Sequence, residues 1–479
     1  MAIEPRVRRA MSGIGVALLL AGWAMAAAVW AQSPPPQLTP VERLMIIDTL
    51  SGRTEFDAGP PADRSDSALW AALVRRATGE LGLRITPSDV DPLWAIAPRP
   101  RQVETELRSA QAAGQLASWL AALPSGSSRF RALQAAHWRY RRIVDAGGWA
   151  PLPKGAASRA PDAAALAALR ARLIAEGYLA PAKAAVPGLD AGLKQALVLF
   201  QSHHDLKPDG ALGAQTLVAL NVPAEARLSQ IDANLERWRW LPALPAQRVE
   251  VDVGGAEATL YVRDQAQLSM RVIVGDRTHR TPMFASRLES VIFNPPWNVP
   301  ASIAAKELLP HERRDPGYLA RNDFVFVNGA LRQRPGPLNA LGRLKFDFPS
   351  PFGVYLHDTP ARAAFALTDR WRSHGCVRLE RPLELAAALL GPQGWTGERI
   401  DAAIEAGDTS RAAIATPIPL YVLYWTVVIA PDGAPEFRRD AYGWDAKLTQ
   451  ALARSALGSG AMPQADSECS AAIRPQPVL

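Results

Sequence analysis

A short run in the C-terminal half of the chain combines a cysteine with residues that could activate it. Residues 373–378 read Ser-His-Gly-Cys-Val-Arg, and His357 lies nineteen positions before Cys376. Cysteine attacks a carbonyl carbon as the thiolate, and a nearby imidazole is the simplest group to take its proton at neutral pH. The chain has only two cysteines, and a turn beside a charged residue is an unusual place for one that merely fills a core. Cys376 is therefore the candidate nucleophile.

Two histidines could serve as the base for this thiol. His374 is two residues from Cys376 in the same turn, which limits the directions in which its ring can point. His357 ends the segment 353–357, in which apolar residues alternate with Tyr355 and His357, as in a strand with one apolar face. Such a strand would present both rings on one surface beside the turn. We therefore expect His357 to be the base.

The remaining residues of the run are expected to shape the site. Backbone N–H groups in a tight turn can stabilise the oxyanion of a tetrahedral intermediate. We assign the shaping of the site to Ser373, His374 and Gly375, and we expect the N–H groups of Gly375 and Cys376 to form the oxyanion hole. A zinc site made of His357, His374 and Cys376 is the alternative, but the sequence has no HExxH or CxxC motif and no evident fourth ligand. No metal is expected.

These residues resemble a known signature. The spacing of His357 from Ser373-His374-Gly375-Cys376, with Arg378 two positions later, resembles that of the YkuD-type L,D-transpeptidases. Three other stretches resemble the large YcbB-like branch of that family, namely residues 293–300, 334–342 and 421–426. Some forms of the motif end in Asn where this chain has Arg378, so the role of that position stays open.

The periodicity of the chain predicts a multidomain α+β fold. Apolar residues recur at helical spacing from Thr39 to Asp145 and again up to Asn221, whereas from Arg248 the period becomes two, as in β-hairpins. Residues 199–221 resemble a small three-helix peptidoglycan-binding domain, in which we expect His203 and His204 to lie at the surface. The expected order is a helical scaffold domain at 32–150, this binding-like unit at 156–224, a β-rich catalytic domain at 245–430 with a cap insertion at 298–339, and a C-terminal hairpin and tail at 431–479. We expect the cap to contain one short helix, at 303–309, and an arginine-rich loop. The tail beyond Lys447 is expected to be weakly ordered.

The family resemblance implies an activity. An L,D-transpeptidase uses its cysteine to form an acyl-enzyme from a peptidoglycan stem peptide, releases the terminal D-Ala, and passes the acyl group to a second stem as a 3→3 cross-link. The resemblance implies no cofactor, and carbapenem β-lactams as inhibitors. The side chains expected at the substrate are Tyr355, Arg378 and Trp425. A guanidinium such as Arg378 matches a carboxylate in geometry, although a structural ion pair would explain it equally well.

Residues 1–31 predict export. Three arginines precede an almost wholly apolar stretch that ends in small residues, which is typical of a cleaved signal peptide, so we expect a periplasmic protein. An uncleaved anchor in the inner membrane is the alternative. The second cysteine, Cys469, lies in a polar tail and is expected to be free, since a bridge to Cys376 would abolish the chemistry.

Composition and net charge indicate the class of protein and the kinds of polymer that it could bind. Of the chain's 479 residues, 48% are hydrophobic and 21% charged, which suits a globular protein of two or three domains. Its formal charge of +7 falls to +5 without residues 1–31, which suits an anionic wall polymer and equally a solvated surface. No basic stripe interleaved with aromatic residues indicates nucleic acid.

Two other functions remain open from the sequence. With water or a free D-amino acid as acceptor, the same site would be an L,D-carboxypeptidase or an exchange enzyme. A non-catalytic wall-binding protein would retain the binding unit and lack a reactive thiol.

Overall fold

The computed structural model describes residues 36–52, 59–96, 101–157 and 162–459. The predicted signal segment, the tail beyond residue 459 and Cys469 lie outside the described residues. Within them, none of the helices combines the length and the hydropathy that a membrane span needs. The described residues divide into two compact units, of which the first comprises residues 36–52, 59–80 and 101–121 and the second the other described residues.

The first unit is helical. Its helices are Pro40–Ser51, Asp66–Leu81, Val103–Ala112 and Leu116–Ala121. Thr39 caps the first helix with a capping box. The Thr39 hydroxyl accepts a hydrogen bond from the Glu42 N–H, and the Glu42 carboxylate accepts one from the Thr39 N–H. The apolar side chains of Leu69 and Leu73 are buried. The sequence predicted no catalytic residue in this unit.

The second unit contains the strands. In the described chain these are β1 (Arg248–Asp252), β2 (Glu257–Val262), β3 (Gln265–Gly275), β4 (Phe284–Phe293), β5 (Trp297–Asn298), β6 (Phe324–Val327), β7 (Ala330–Gln333), β8 (Leu344–Asp347), β9 (Leu356–His357), β10 (Trp371–Ser373), β11 (Val377–Leu379), β12 (Ser410–Leu423), β13 (Val427–Ile429) and β14 (Pro435–Phe437).

The main sheet closes on itself. Its strand order is β10-β3-β11-β9-β8-β4-β12-β1-β2, and β2 also pairs with β3. The alternation predicted from Arg248 onward is confirmed, because buried residues such as Val249, Val251 and Val272 face the interior. Closure satisfies strand edges that would otherwise be open. The inner face of the sheet therefore forms a continuous apolar core. Polar and catalytic side chains must lie on its outer face.

Helices surround this sheet. In the second unit they are Pro87–Val90, Ser128–Asp145, Ala163–Ala175, Ala191–Ser202, Ala214–Leu220, Ala224–Arg239, Ala301–Ile303, Leu309–Arg314, Tyr318–Arg321, Pro382–Leu390, Gly397–Glu405 and Trp444–Ser459. The predicted fold class, helices followed by a β-rich domain, is confirmed. The tail beyond Lys447, expected to be weakly ordered, instead continues the helix Trp444–Ser459, which is anchored by the fully buried Trp444 and Leu448.

The three-helix unit has its own core. The side chains of Leu169, Leu197 and Phe200 are fully buried, in a cluster separate from that of the sheet. We expected His203 and His204 at the surface, and this was wrong. Both are 5% exposed, because the unit packs against β14, where the Phe437 N–H donates to the His203 carbonyl at 2.7 Å.

The cap insertion also has a hydrophobic core of its own. A π-helical turn, Ala304–Leu308, lies between two of its short helices, and β5, β7 and β6 form a small sheet. Its buried cluster shares no member with that of the sheet and comprises Val299, Leu308, Leu319, Phe324 and Leu331. The sequence interpretation of this region as one helix and an arginine-rich loop therefore missed β6 and β7.

The buried Asn339 fastens the cap at its base. Its amide donates to the carbonyls of Arg334 and Pro295, at 2.8 and 3.1 Å, and its Oδ1 accepts from the Leu341 N–H at 2.8 Å. These bonds join the two chain segments that enter and leave the cap.

We expect Asn339→Ala to lower the free energy of unfolding by about 2–3 kcal/mol, because it leaves buried backbone groups without partners. Urea unfolding followed by tryptophan fluorescence measures this. Gln215→Ala, at an exposed side chain, is the matched control and is expected to change stability by less than about 0.5 kcal/mol. Equal unfolding midpoints for the two variants would contradict this role of Asn339.

Candidate active site

The candidate nucleophile and its neighbours share the outer face of the sheet. Strand β11 pairs in parallel with β9, with Val377 opposite Leu356 and Arg378 opposite His357. Since side chains alternate along a strand, Val377 and Leu356 point into the core, where both are fully buried. Cys376, Arg378 and His357 therefore share the opposite face with Tyr355. The register brings together four residues that the sequence predicted for catalysis and substrate binding, two on these strands and two immediately before them.

The turn before Cys376 is held by its own side chain. Ser373 Oγ donates to the Cys376 carbonyl at 2.6 Å and accepts from the Gly375 N–H at 3.1 Å. Gly375 has a φ of 107°, a backbone conformation that favours glycine. Because Ser373 occupies the Gly375 N–H, the prediction that this group faces an oxyanion is corrected. In the described chain the Cys376 N–H has no hydrogen-bond partner, so it stays a candidate donor.

A second layer supports the turn from behind. Thr281 Oγ1 donates to the Gly375 carbonyl at 2.8 Å and accepts from the Gly275 N–H at 2.8 Å. The Tyr442 hydroxyl donates to the Gly275 carbonyl at 2.6 Å and accepts from the Thr281 N–H at 3.2 Å. Both side chains are buried. The turn is thus fixed to the end of β3 and to the C-terminal region.

The thiol of Cys376 is partly buried and faces Tyr355. Burial raises its pKa above the usual range, whereas hydrogen bonds from the Tyr355 N–H and hydroxyl, and then the positive charges of Arg378 and Lys345, act in the opposite direction. Burial raises the pKa of Tyr355 most, and the neighbouring Cys376 adds to this. The tyrosine hydroxyl therefore stays protonated and can donate to a thiolate.

His357 lies on the same face but one step along the strand. Its Nδ1–H donates to the Asp358 carbonyl at 2.5 Å, and the Leu341 carbonyl also interacts with its ring. Burial and then Arg378 lower its pKa to about 3. No hydrogen bond joins its ring to Cys376 Sγ in the described residues. The imidazole is neutral, as a base must be, and its assignment as the base stays a prediction.

His374 points away from the strand pair and toward the cap. Its Nε2 lies 2.7 Å from Oε1 of Glu307, in the π-helical turn. Its ring centroid is 4.8 Å from that of His279, whose Nδ1 is 3.1 Å from Asp276 Oδ1. His374 and Glu307 are 36% and 46% exposed, so solvent and solutes can reach this group.

Two positive side chains border the thiol. Arg378 is partly buried, and in the described chain it forms no ion pair, which leaves its guanidinium available for a carboxylate. Burial lowers its pKa, although Cys376 acts against this. Lys345 lies opposite His357 on β8, with Nζ 4.7 Å from the centre of the Tyr355 ring.

Trp425 does not join this group. It is 3% exposed, and its ring stacks on Trp238 with the centroids 5.1 Å apart. The expectation that Trp425 lines the substrate groove is therefore corrected: it is a core residue of the joint between the helix Ala224–Arg239 and the sheet. In the described residues no group of three His, Cys, Asp or Glu side chains could hold a metal ion.

Sequence reasoning missed the supporting residues. Lys345 follows from the strand register alone, and Thr281 and Tyr442 reach the turn from distant positions, so no local pattern marks them. Glu307 belongs to a cap helix whose orientation the sequence does not indicate. Asp276 and His279 follow β3 directly, and their position at the end of a strand in the catalytic region was the available signal.

Two family models match the chain. Residues 246–411 match YkuD, the L,D-transpeptidase catalytic domain, and residues 162–220 match "Putative peptidoglycan binding domain". The first match includes both Cys376 and His357. The chain therefore carries a YkuD L,D-transpeptidase catalytic domain, as the motif around Cys376 predicted, and a peptidoglycan-binding domain, as the resemblance of residues 199–221 predicted.

Known proteins with these domains are similar to parts of the chain. A "Putative L,D-transpeptidase" of Haemophilus influenzae is 31% identical over 249 residues, which are 47% of this chain and 50% of that protein. The chain thus matches about half the length of this curated relative. The Ldtfm–avibactam carbamoyl enzyme is 14% identical over 41% of this chain and 62% of its own, with a TM-score of 0.23. An L,D-transpeptidase from Mycobacterium smegmatis is 16% identical over 37% and 58%, with a TM-score of 0.22.

We expect Tyr355→Phe to raise the pKa of the Cys376 thiol further, because it removes a hydrogen bond to the thiolate. At a pH below that pKa, alkylation by iodoacetamide would slow about tenfold, and the pH–rate profile would move to higher pH. Tyr318→Phe, a change in the cap, is the control. An unchanged profile for Tyr355→Phe would show that the hydroxyl does not act on the thiolate.

Proposed function

Because residues 246–411 are a YkuD-type L,D-transpeptidase catalytic domain, we propose that the protein is a peptidoglycan L,D-transpeptidase that forms 3→3 cross-links through a Cys376 acyl-enzyme. The observation that carries this proposal is the surroundings of the thiol. Cys376 follows a rigid turn, accepts hydrogen bonds from Tyr355, and has the positive charges of Arg378 and Lys345 nearby. These groups stabilise a thiolate.

The first half-reaction forms a thioester. Cys376 Sγ attacks the carbonyl carbon between the third residue of a tetrapeptide stem and its terminal D-Ala, and His357 takes the thiol proton. The Cys376 N–H stabilises the tetrahedral oxyanion. When the intermediate collapses, the C–N bond breaks and the D-Ala nitrogen receives the proton from His357.

The second half-reaction passes the acyl group to an amine. The nitrogen of a second stem peptide attacks the thioester carbon, the C–S bond breaks, and Cys376 is restored. The peptide carboxylate of a stem fits the guanidinium of Arg378, which forms no ion pair with another described residue, because a bidentate pair would fix the donor in place. The peptidoglycan-binding domain would hold the wall polymer near this site. We further propose that the protein is exported, since its substrate lies outside the cytoplasm.

Other acceptors would use the same thioester. Water would give a carboxypeptidase and a free D-amino acid an exchange reaction, and the partial exposure of the thiol allows small acceptors to reach it. A carbapenem would acylate Cys376 through its strained carbonyl and would be retained as a covalent adduct.

We expect Cys376→Ala to abolish both cross-linking and the carbapenem adduct, because the sulfur is the only atom that is acylated. Intact-mass spectrometry with a carbapenem, and chromatography of products from purified disaccharide tetrapeptides, measure these two outcomes. A wild-type protein that binds sacculi but forms no adduct would be a wall-binding protein without catalysis. Release of D-Ala without any cross-linked dimer would favour the carboxypeptidase.

We expect His357→Ala to slow acylation of Cys376 by about 10²- to 10⁴-fold, because the thiol then loses the base assigned to it. The measurement is the rate at which the carbapenem adduct appears under single-turnover conditions. His311→Ala, in the cap, is the matched control and is expected to leave this rate unchanged. Acylation at the wild-type rate in His357→Ala would remove the base assignment while leaving the nucleophile in place.

A further inference from the structure

Four side chains form a continuous polar group beside the nucleophile, and neither half-reaction above uses it. Glu307 of the cap contacts His374 Nε2 at 2.7 Å, the His374 ring lies against that of His279, and His279 Nδ1 contacts Asp276. Carboxylates therefore stand at both ends of a pair of imidazoles. Thr278 Oγ1 also donates to Asp276 Oδ1 at 2.7 Å. This arrangement joins the cap to the catalytic turn.

The second half-reaction needs a base that the first does not supply. An aliphatic amine is mostly protonated at neutral pH, and an ammonium group has no lone pair with which to attack a thioester. His357 is poorly placed for this task, since it is buried and its Nδ1 is hydrogen-bonded to the Asp358 carbonyl, whereas the side chain of His374 is open to an amine that arrives from solvent.

We propose that His374, oriented by Glu307, is the base that deprotonates the acceptor amine. This inference rests on the proposed function and deepens it, because it assigns different histidines to the two half-reactions. His374 would touch the acceptor and is the catalytic residue, whereas Glu307 acts through it and is a positioning residue.

The geometry supports this division of roles. If Nε2–H of His374 donates to the Glu307 carboxylate, the lone pair of the neutral ring is on Nδ1, just as a carboxylate fixes the tautomer of a catalytic histidine elsewhere. In the described chain Nδ1 has no hydrogen-bond partner. His374 and Cys376 are two residues apart, so their Cα atoms are at most about 7 Å from each other. The partial exposure of His374 lets an amine approach from solvent.

The remaining members set the charge of the group. Burial would raise the pKa of Asp276, but hydrogen bonds from Thr278 and His279 lower it to about 2, so this carboxylate stays ionised. Together with Glu307 it provides negative charge that attracts an ammonium group and stabilises the imidazolium formed when the amine gives up its proton. The positive charges of Arg378 and Lys345 lie instead beside the thiol, where the stem carboxylate is expected.

The step balances in protons and bonds. His374 Nδ1 takes one proton from the acceptor ammonium, and the freed nitrogen lone pair forms a C–N bond to the thioester carbon. The C–S bond then breaks, and the leaving thiolate of Cys376 takes the second proton of the nitrogen. His374 returns its proton to solvent, which its exposure permits. The products are an amide and the free thiol.

The test compares two acceptors on the same acyl-enzyme. Disaccharide tetrapeptide is the donor, and the acceptor is either D-methionine, which is protonated at neutral pH, or hydroxylamine, which is largely unprotonated there and needs no base. The full chain is assayed as His374→Gln, Glu307→Gln and, as the matched control, Lys306→Gln, which removes a charge from the neighbouring exposed position of the same turn. Transfer to each acceptor is measured by mass spectrometry.

We expect transfer to D-methionine to fall about 10²-fold in His374→Gln and about tenfold in Glu307→Gln, with transfer to hydroxylamine within about threefold of wild type in both. Raising the pH until D-methionine is unprotonated should restore its transfer. Lys306→Gln is expected to behave as wild type.

Two outcomes would overturn the inference. Equal losses with both acceptors would mean that His374 only maintains the turn, and unchanged transfer to D-methionine would mean that another group takes the proton. A wild-type protein that forms no acyl-enzyme would instead refute the proposed function itself, which the hydroxylamine reaction reveals independently.

Discussion

The parallel pairing of β9 with β11 is the constraint on which the rest of the site depends. With Arg378 opposite His357, the side chains of Tyr355 and Cys376 fall on the same outer face, and the apolar neighbours Val377 and Leu356 enter the core. A shift of one residue in either strand would send one of these sets to the wrong side. The catalytic face is thus specified by the same alternation that builds the core, and the core holds the register in place.

The local balance at the thiol is between burial and polar neighbours. Burial raises the pKa of Cys376, and hydrogen bonds from Tyr355 together with nearby positive charge oppose it. Burial instead lowers the pKa of His357, and Arg378 lowers it further, because both disfavour the charged imidazolium. The site therefore keeps a neutral imidazole beside a thiol whose anion is stabilised mainly by tyrosine and cations. In this geometry the thiolate of Cys376 is stabilised by Tyr355, Arg378 and Lys345 more than by a contact with a histidine.

The sequence predicted what depends on local patterns. The motif around Cys376 predicted the site, and alternation from Arg248 predicted the strands, because both signals lie within a few residues. The cap hairpin of β6 and β7 could also have been predicted, since Asn328 and Gly329 form the type of pair that favours a tight hairpin turn. Long-range packing left no such signal. It buries His204 between Phe200 and Phe437, with which its ring stacks, and it places Trp425 in the core against Trp238.

The independence of the cap core has an evolutionary consequence. Because its buried cluster shares no member with that of the main sheet, replacements among its apolar residues leave the packing of the sheet untouched. Glu307 sits one position before Leu308, an anchor of that cluster, so small repacking changes there would move its carboxylate relative to the catalytic turn. Selection could thus retune which amines are accepted in small mutational steps while the scaffold that activates the sulfur retains its stability.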